Sequence, residues 1–484
     1  MAYLKDLLKQ VTYICTRGTM DCKVTHICHD SRQVVRGSMF ICLAESREDG
    51  HDYLAQAIRK GAAVCVVSKH VWVEGDVTVI RVRNTSEAMA WIARNYYGAP
   101  AEAMQMIGIT GTKGKTTTAC MLYQMLKEAG VKCGLIGTLG IRRSDGLKKP
   151  GSNTTPDALV LQKELREMAD AGCGCCVMEV SSQGLKHYRV EGITFAIGIY
   201  TNLSMDHIGP GEHRSFREYA CCKKRLFERS RMICINADDK YHGFMTANLE
   251  APVYTYGIEQ PCDVKAEHIV YERSSRGLNV TYQTTGWIKD EIVLKMPGTA
   301  NVYNSLAAME AAHLLGISPE TIRKTLRNVS VKGRIEEVRI SDKFDVVIDY
   351  AHNAASLESL IKTLRQYQPK RLVLLFGCGG NRSPLRRFQM GETAGRLSDV
   401  TILTSDNPRY EKPEAILSDI EQGMKRTKGK YKIIPDRREA ISYAISQAQE
   451  GDLIVVAGKG HEEYQEIEGH FYPMNEREMI ENSI

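Results

Sequence analysis

The sequence predicts an α/β protein of three domains, on three observations. At 484 residues the chain is too long for one ordinary hydrophobic core. Short apolar runs of strand length alternate with segments of helical period along most of it, the pattern of sheets flanked by helices. One glycine-rich turn, "GITGTKGKTTT", falls where such a strand meets such a helix.

Taken in order, residues 1–98 read as a small α/β unit. "SMFICL", "AAVCVVS" and "VTVIRV" are strands, and "YLAQAIRKGA" is helical in period. A break at Gly98 and Pro100 follows. Residues 99–332 form the second unit. It opens with strand, glycine turn and a helix ending at Gly130, and continues through the strands "CVMEVSS", "FAIGIYTNL" and "MICINADD" of a parallel sheet. Residues 252–296 alternate apolar and polar side chains, which predicts an antiparallel excursion. In the third unit, 333–484, "FDVVIDYAH", "RLVLLFGCGG", "DVTILTSDN", "YKIIPD" and "DLIVVAGKGH" read as strands of a second open, Rossmann-like sheet. Its ligand loops belong at the strand carboxyl ends.

Composition narrows the function. The net charge of +6 comes with no basic tail or aromatic-interleaved patch, so nucleic acid is not an expected partner, while small anionic substrates fit. No window has the length and apolarity of a membrane span, and the N-terminus lacks a signal-peptide core, so a cytoplasmic protein is expected. Fifteen scattered cysteines without paired metal spacings read as reduced structural thiols.

In the glycine turn, backbone N–H groups can approach phosphate oxygens, Lys115 can reach terminal phosphates and Thr116 can ligate magnesium. Ile109 stands where the strict pattern has glycine, so this is a variant loop, "TGTKGKTT". Glu179 and the pair Asp206–His207 are expected at strand ends of the same sheet, where a carboxylate can hold a metal. "TSDNPRYEKPEA" reads as a rigid turn that presents one amide and one cation after an apolar run. A plainer reading makes its aspartate the cap of a following helix.

"GTKGKTT", "EVSS", "TNLSMDH", "GTANVYNSLAA", "GRIEEV" and "DYAHNAASL" occur in the order found in Mur ligases, and the resemblance spans essentially the whole chain. That family makes peptide bonds on UDP-N-acetylmuramoyl precursors of the bacterial cell wall. "HDSRQVVRGSMFICL", "NTTPDAL", "FGCGGNR", "DNPR" and "AGKGHEEYQ" resemble the branch that adds the third residue. The resemblance implies a small uridine-binding N-terminal domain, a central phosphate-loop ATPase domain and a C-terminal domain for the incoming amino acid. It also implies ATP and Mg2+ as cofactors, UDP-N-acetylmuramoyl dipeptide and a diamino acid as substrates, and a monomer.

Residue by residue, the resemblance assigns Gly111, Thr112, Lys113, Gly114, Lys115, Thr116, Thr117, Asn304, Arg334 and Asp349 to ATP. Thr116 and Glu179 would hold one magnesium, and His207 a second together with a carbamylated lysine. In "REYACCKKRLF" both Lys223 and Lys224 compete for that role, and the family's closing Lys-x-x-Leu-Phe selects Lys223 as the N6-carboxylysine. The segment after "TNLSMDH" is about two residues longer than the commoner pattern, and two solvated helical lysines stay open as an alternative. His29, Ser31, Ser46, Arg47 and Glu48 match uridine-contacting segments. Asn153, Thr154, Thr155, Ser181, His187 and Arg189 match the muramoyl-dipeptide grip. Arg382, Asp406, Asn407, Pro408, Arg409, Gly458 and Glu462 match the pocket for meso-diaminopimelate, whose distal carboxylate two arginines can pair. L-Lysine or L-ornithine as acceptor, a folylpolyglutamate synthetase, and a catalytically silent ATP-binding partner stand as alternatives.

Overall fold

The computed structural model describes residues 2–44, 48–149, 151, 153–209, 211–274 and 277–483. Ser46 and Arg47 lie outside the described residues. The chain divides into two compact units, one of residues 1–263 with 307–318, the other of 264–306 with 319–484.

Besides a two-stranded pairing of Ala2–Tyr3 with Lys23–Val24, the first unit holds two larger sheets. The smaller comprises β1 (Tyr13–Arg17), β2 (His26–Cys28), β3 (Ser38–Ile41), β4 (Ala62–Val67) and β5 (Thr78–Val82) in the order β1-β5-β4-β3-β2. Only β1 runs antiparallel to its neighbour. The expected strands and the helix α1 (Leu54–Arg59) form where the apolar runs placed them. Helix α2 (Thr85–Tyr96) starts at Asn84, whose side chain accepts from the N–H groups of Ser86 and Glu87 and so satisfies two otherwise orphaned donors. Its apolar face closes a core with Leu4, Met39, Val64 and Ile80.

The second sheet positions the phosphate loop. Its strands are β6 (Gln105–Thr110), β7 (Cys133–Gly137), β8 (Gly140–Arg142), β9 (Cys175–Glu179), β10 (Phe195–Tyr200), β11 (Ser230–Asn236) and β12 (Val253–Gly257), in the order β8-β7-β9-β6-β10-β11-β12. All pairings but β7–β8 are parallel. Strand β6 lies at the centre, buried along almost its whole length, which explains its unbroken apolar run. Helix α3 (Lys115–Glu128) follows it directly. The antiparallel excursion was expected from residue 252, yet β12 pairs parallel with β11, because the sheet continues one crossover further before its direction changes.

In the second unit, β13 (Val264–Ser274), β14 (Gly277–Gly286) and β15 (Glu291–Leu294) are antiparallel, with the burial alternation a half-exposed sheet requires. Besides a hairpin of Tyr464–Ile467 with His470–Pro473, the remaining strands are β16 (Glu336–Glu337), β17 (Asp345–Asp349), β18 (Arg371–Phe376), β19 (Val400–Leu403), β20 (Lys430–Ile433) and β21 (Asp452–Ala457), in the order β16-β17-β21-β18-β19-β20. The last five are mutually parallel, and the strand order reverses beside β21, the switch point at which such sheets bind ligands. Arg273 fastens the two parts of this unit, bonding the Asp345 carboxylate and the carbonyls of Gly451 and Asp452.

All fifteen cysteines are free thiols. Among the described residues no helix is long and apolar enough to cross a membrane.

Candidate active site

The phosphate loop leaves the carboxyl end of β6 and enters α3 through Gly114, whose φ of 89° is a left-handed conformation suited to glycine. A Cβ on Gly111 would fall 1.9 Å from Thr201 Oγ1, so the close approach of these two segments also requires glycine. The segment after β10 clamps the loop. Asn202 accepts from Thr112 N–H through its carbonyl and from Lys113 N–H through Oδ1, and the Thr201 hydroxyl donates to the Lys113 carbonyl at 2.6 Å.

Two lysines converge on one backbone carbonyl. Lys115 Nζ donates to Gly111 O at 2.8 Å and to Thr112 O at 3.0 Å, while Lys223 Nζ donates to the same Gly111 O at 2.7 Å. Lys223 lies on α4 (Phe216–Lys224) and is 1% exposed; burial first, and the Lys115 charge second, push its pKa well below the ordinary lysine value. Its neighbour Lys224 turns away to the Ala247 carbonyl and the Phe244 ring. The picture of two solvated lysines is therefore corrected for Lys223, because a 100° turn per helical residue sends adjacent side chains to different surroundings.

Tyr219, one helical turn before Lys223, was not singled out from the sequence. It is fully buried, its hydroxyl shares a 2.9 Å hydrogen bond with Thr112 Oγ1, and its ring lies 4.6 Å from Lys223 Nζ. The i, i+4 spacing on a helix was the available signal.

Glu179 ends β9, is 2% exposed and sits beside the loop. Its Oε2 accepts from Thr116 Oγ1 at 2.9 Å, and its Oε1 accepts from Thr138 N–H at 2.8 Å. Gly137 makes room for it: a Cβ there would meet Oε1 at 2.2 Å. Thr116 and Glu179 thus form a hydroxyl–carboxylate pair at the helix start, a donor set that fits a hard divalent cation. Among the described residues no three His, Cys, Asp or Glu side chains converge as a metal cage.

Asp206 and His207 were expected at a strand end. They stand instead in the loop after β10, which ends at Tyr200, because residues 201–204 are occupied in clamping the phosphate loop. Both are exposed, and His207 Nδ1 lies 3.1 Å from Glu212 Oε1.

The residues matched to the muramoyl dipeptide divide. Thr155 Oγ1 donates to the Glu179 carbonyl, accepts from Ser181 N–H and lies 3.1 Å from Ser181 Oγ; the Thr155 carbonyl accepts from Arg189 Nη1. Thr154 Oγ1 shares a bond with Thr138 Oγ1. These four are thereby tied to the metal-type pair, whereas Asn153 and His187 are exposed. On the smaller sheet, Ser31 is buried and donates to Gln56 Oε1, and His29 and Glu48 are exposed.

Asn304, Arg334 and Asp349 belong to the second unit. Asn304 donates to Asn301 Oδ1, the Arg334 guanidinium covers the Tyr350 ring at 4.8 Å, and Asp349 accepts from the N–H groups of Ile335 and Ala351.

The turn after β19 differs from its expected form. Asp406, Asn407 and Pro408 are buried, so the amide faces inward. Asn407 Nδ2 donates to Glu462 Oε2 at 2.9 Å, and its Oδ1 accepts from Lys459 Nζ at 2.9 Å and Glu466 N–H at 3.0 Å. Asp406 is no helix cap: the next helix, α5 (Pro413–Met424), is capped at Lys412, and Asp406 Oδ1 accepts from Asn407 N–H. Arg409, at φ 53°, bonds Glu466 Oε2 through Nε and the Gly380 carbonyl through Nη1. Arg382 is exposed, and its side chain and that of Arg409 both border Gly379. Gly458, at φ 114°, lies against Asp406. Sequence reasoning missed Lys459 and Glu466, both inside or beside a motif it had quoted.

A phosphate loop on a parallel sheet, a hydroxyl–carboxylate pair and a buried lysine on the loop carbonyl define a phosphate-activating α/β ligase, and the chain belongs to the Mur ligase family. "Mur ligase family, catalytic domain" matches residues 23–97, "Mur ligase middle domain" 109–312 and "Mur ligase, glutamate ligase domain" 333–460. Within the family, its relatives include the UDP-N-acetylmuramoyl-L-alanyl-D-glutamate–2,6-diaminopimelate ligase of Caldanaerobacter subterraneus subsp. tengcongensis, 41% identical over 99% of this chain and 98% of that one. The protein of the same name from Geobacillus kaustophilus is 41% identical over 94% of each chain. A solved structure bearing that name aligns with a TM-score of 0.69 at 30% identity, over 95% of this chain and 94% of that one. A Mycobacterium tuberculosis folylpolyglutamate synthase, at 18% identity and a TM-score of 0.62, covers 76% of this chain and 92% of its own and shares the fold.

Proposed function

We propose that this chain is an ATP-dependent, ADP-forming ligase that joins meso-2,6-diaminopimelate to the D-glutamate of UDP-N-acetylmuramoyl-L-alanyl-D-glutamate, in the cytoplasm and as a monomer. Relatives about 40% identical over nearly the full chain carry this activity in their names. The observation that carries the chemistry is the meeting of Lys115 and Lys223 at Gly111 O.

An unactivated carboxylate and an ammonium would form only a salt. The D-glutamate side-chain carboxylate therefore attacks the ATP γ-phosphorus, releasing ADP and leaving an acyl phosphate. The neutral amine of the acceptor then adds to the acyl carbon, and the tetrahedral intermediate loses a nitrogen proton to water and expels phosphate as the amide forms. The enzyme's share is alignment and charge neutralisation. Gly111 to Thr117 would cradle the phosphates with the Lys115 ammonium and the loop N–H groups not already bonded to Asn202, and Asn304, Arg334 and Asp349 are carried over as nucleotide contacts. Thr116 and Glu179 would hold one Mg2+, and His207 with carbamylated Lys223 a second. Magnesium bound there would neutralise phosphate charge.

Electrostatics supports the carbamylation of Lys223. Carbon dioxide adds to a neutral amine, releasing a proton, and burial favours that neutral form. The resulting carbamate anion would face the Lys115 ammonium, an attractive contact. The three domains are assigned to residues 1–98, 99–332 and 333–484.

For the first substrate, His29, Ser31 and Glu48 are assigned to the uridine end, and Asn153, Thr154, Thr155, Ser181, His187 and Arg189 to the dipeptide. For the acceptor, Arg382 and Arg409 are assigned to the distal carboxylate and Glu462 to the ammonium beside it. A phosphate-release assay with the UDP-muramoyl dipeptide, ATP and Mg2+ tests the reading against three acceptors. Turnover with diaminopimelate exceeding that with L-lysine and L-ornithine is expected; greater turnover with lysine would overturn the acceptor assignment.

A further inference from the structure

Lys459 is a fully buried lysine that the reaction outlined above does not use. It stands between Gly458 and Gly460, both in left-handed backbone conformations (φ 114° and 54°) that other residues rarely adopt. Burial of an ammonium is costly unless it is paired and hydrogen-bonded, and this one is both. Its Nζ donates to Asn407 Oδ1 at 2.9 Å and lies 3.2 Å from Glu462 Oε2.

The consequence falls on its two partners. Asn407 Oδ1 accepts from Lys459 Nζ and Glu466 N–H, so the amide has one orientation, with Nδ2 aimed at Glu462 Oε2. Glu462 therefore receives two hydrogen bonds on Oε2, and among the described residues none falls on Oε1. One oxygen is anchored and the other is left to a ligand. The Glu462 side chain keeps 18% of its exposure while that of Lys459 keeps none, so the brace lies behind the carboxylate and the carboxylate faces outward.

We propose that Lys459 is a positioning residue for acceptor selection: through Asn407 it fixes Glu462 so that the outward carboxylate oxygen receives the distal ammonium of the diamino acid. This rests on the acceptor pocket proposed above. It separates two tasks within that pocket, with the arginines reading the distal carboxylate and the Lys459–Asn407–Glu462 unit reading the ammonium beside it.

L-2-Aminopimelate, which keeps the distal carboxylate and lacks the distal ammonium, distinguishes this role from a structural one. Kinetics of the full-length enzyme with meso-diaminopimelate and L-2-aminopimelate would be compared for the wild type, Lys459→Met and Lys459→Gln. The wild type is expected to prefer the diamino acid by about tenfold or more in kcat/KM, since a site built for a polar group rejects the analogue that lacks it. Lys459→Met should raise KM for diaminopimelate about tenfold with kcat changed little, leave KM for ATP and for the UDP-muramoyl dipeptide unchanged, and leave aminopimelate kinetics as they were. Lys459→Gln, which retains a donor, should fall between.

A variant that keeps the wild-type preference, or one that loses both acceptors equally, would overturn the assignment. If Lys459→Met does not fold, Lys459→Gln decides, and its retention of the full preference is then the overturning result. A wild type idle with every diamino acid would instead remove the functional reading, and the Lys459 role with it.

Discussion

Lys223 Nζ donates to the carbonyl of Gly111 across 2.7 Å, although 112 residues separate the two in the chain. Helix α4 is thereby attached to the phosphate loop through a side chain whose burial disfavours its charge. Lys223→Ala is expected to lower phosphate release about 100-fold or more, the scale of removing one preorganised electrostatic group. Added short-chain carboxylic acid should restore part of it. Lys224→Ala should behave like the wild type, and rescue at that position instead would move the modification there.

Gly137→Ala tests the seat of Glu179. The new Cβ would fall 2.2 Å from Glu179 Oε1, so the carboxylate must shift from Thr116. The Mg2+ concentration needed for half-maximal activity should rise by about 10–100-fold, as when an outer partner of a metal ligand is lost. An unchanged magnesium dependence would sink the assignment.

Arg437 and Glu476 form a buried pair, 0% and 1% exposed, with contacts of 2.6–2.7 Å. Arg437 also bonds the carbonyls of Ser405 and Ala457, at the ends of the two strands that carry the proposed acceptor loops. Arg437→Met leaves a carboxylate stranded and should cost about 3–5 kcal/mol in urea unfolding. The double variant Arg437→Met/Glu476→Met should recover most of that loss. A single variant as stable as the wild type would show that the pair is dispensable.

Stability should fall in mild acid. Burial, reinforced by Arg334, Lys332 and Lys459, lowers the His461 pKa from the ordinary 6.5 to about 4. Between those values the unfolded chain binds a proton that the folded chain does not, so stability is complete above about pH 6.5 and declines as pH falls toward 4. His461→Gln should flatten that decline in a series of Tm values against pH. An identical slope would assign the decline to other groups.

Arg409→Lys should discriminate acceptors. Lysine cannot reproduce the planar fork that contacts Glu466 and Gly380 O together. The kcat/KM for diaminopimelate should drop by about tenfold or more, while that for L-lysine, which has no distal carboxylate, changes little. Equal losses with both would remove Arg409 from the carboxylate site.

Much of this was legible in the chain itself. The strand–turn–helix at "GITGTKGKTTT" declared a phosphate loop, because apolar period, glycines and the Lys-Thr pair are local properties. The parallel strands of both large sheets were legible for the same reason: strands buried on both faces read as unbroken apolar runs. Glu179 was placed correctly at the end of its strand, whereas Asp206 and His207 were displaced by a clamp that only the fold reveals.

What the sequence by itself determined is which segments become strands and helices and which residues carry reactive groups. The tertiary structure alone decided which of two adjacent lysines enters the core, that Asn407 faces inward, and that Lys459 stands behind Glu462. The reason is physical. Period and turn chemistry act over a few residues, whereas the surroundings of a side chain depend on the segments folded against it, 112 residues away for Lys223 and 52 for Lys459.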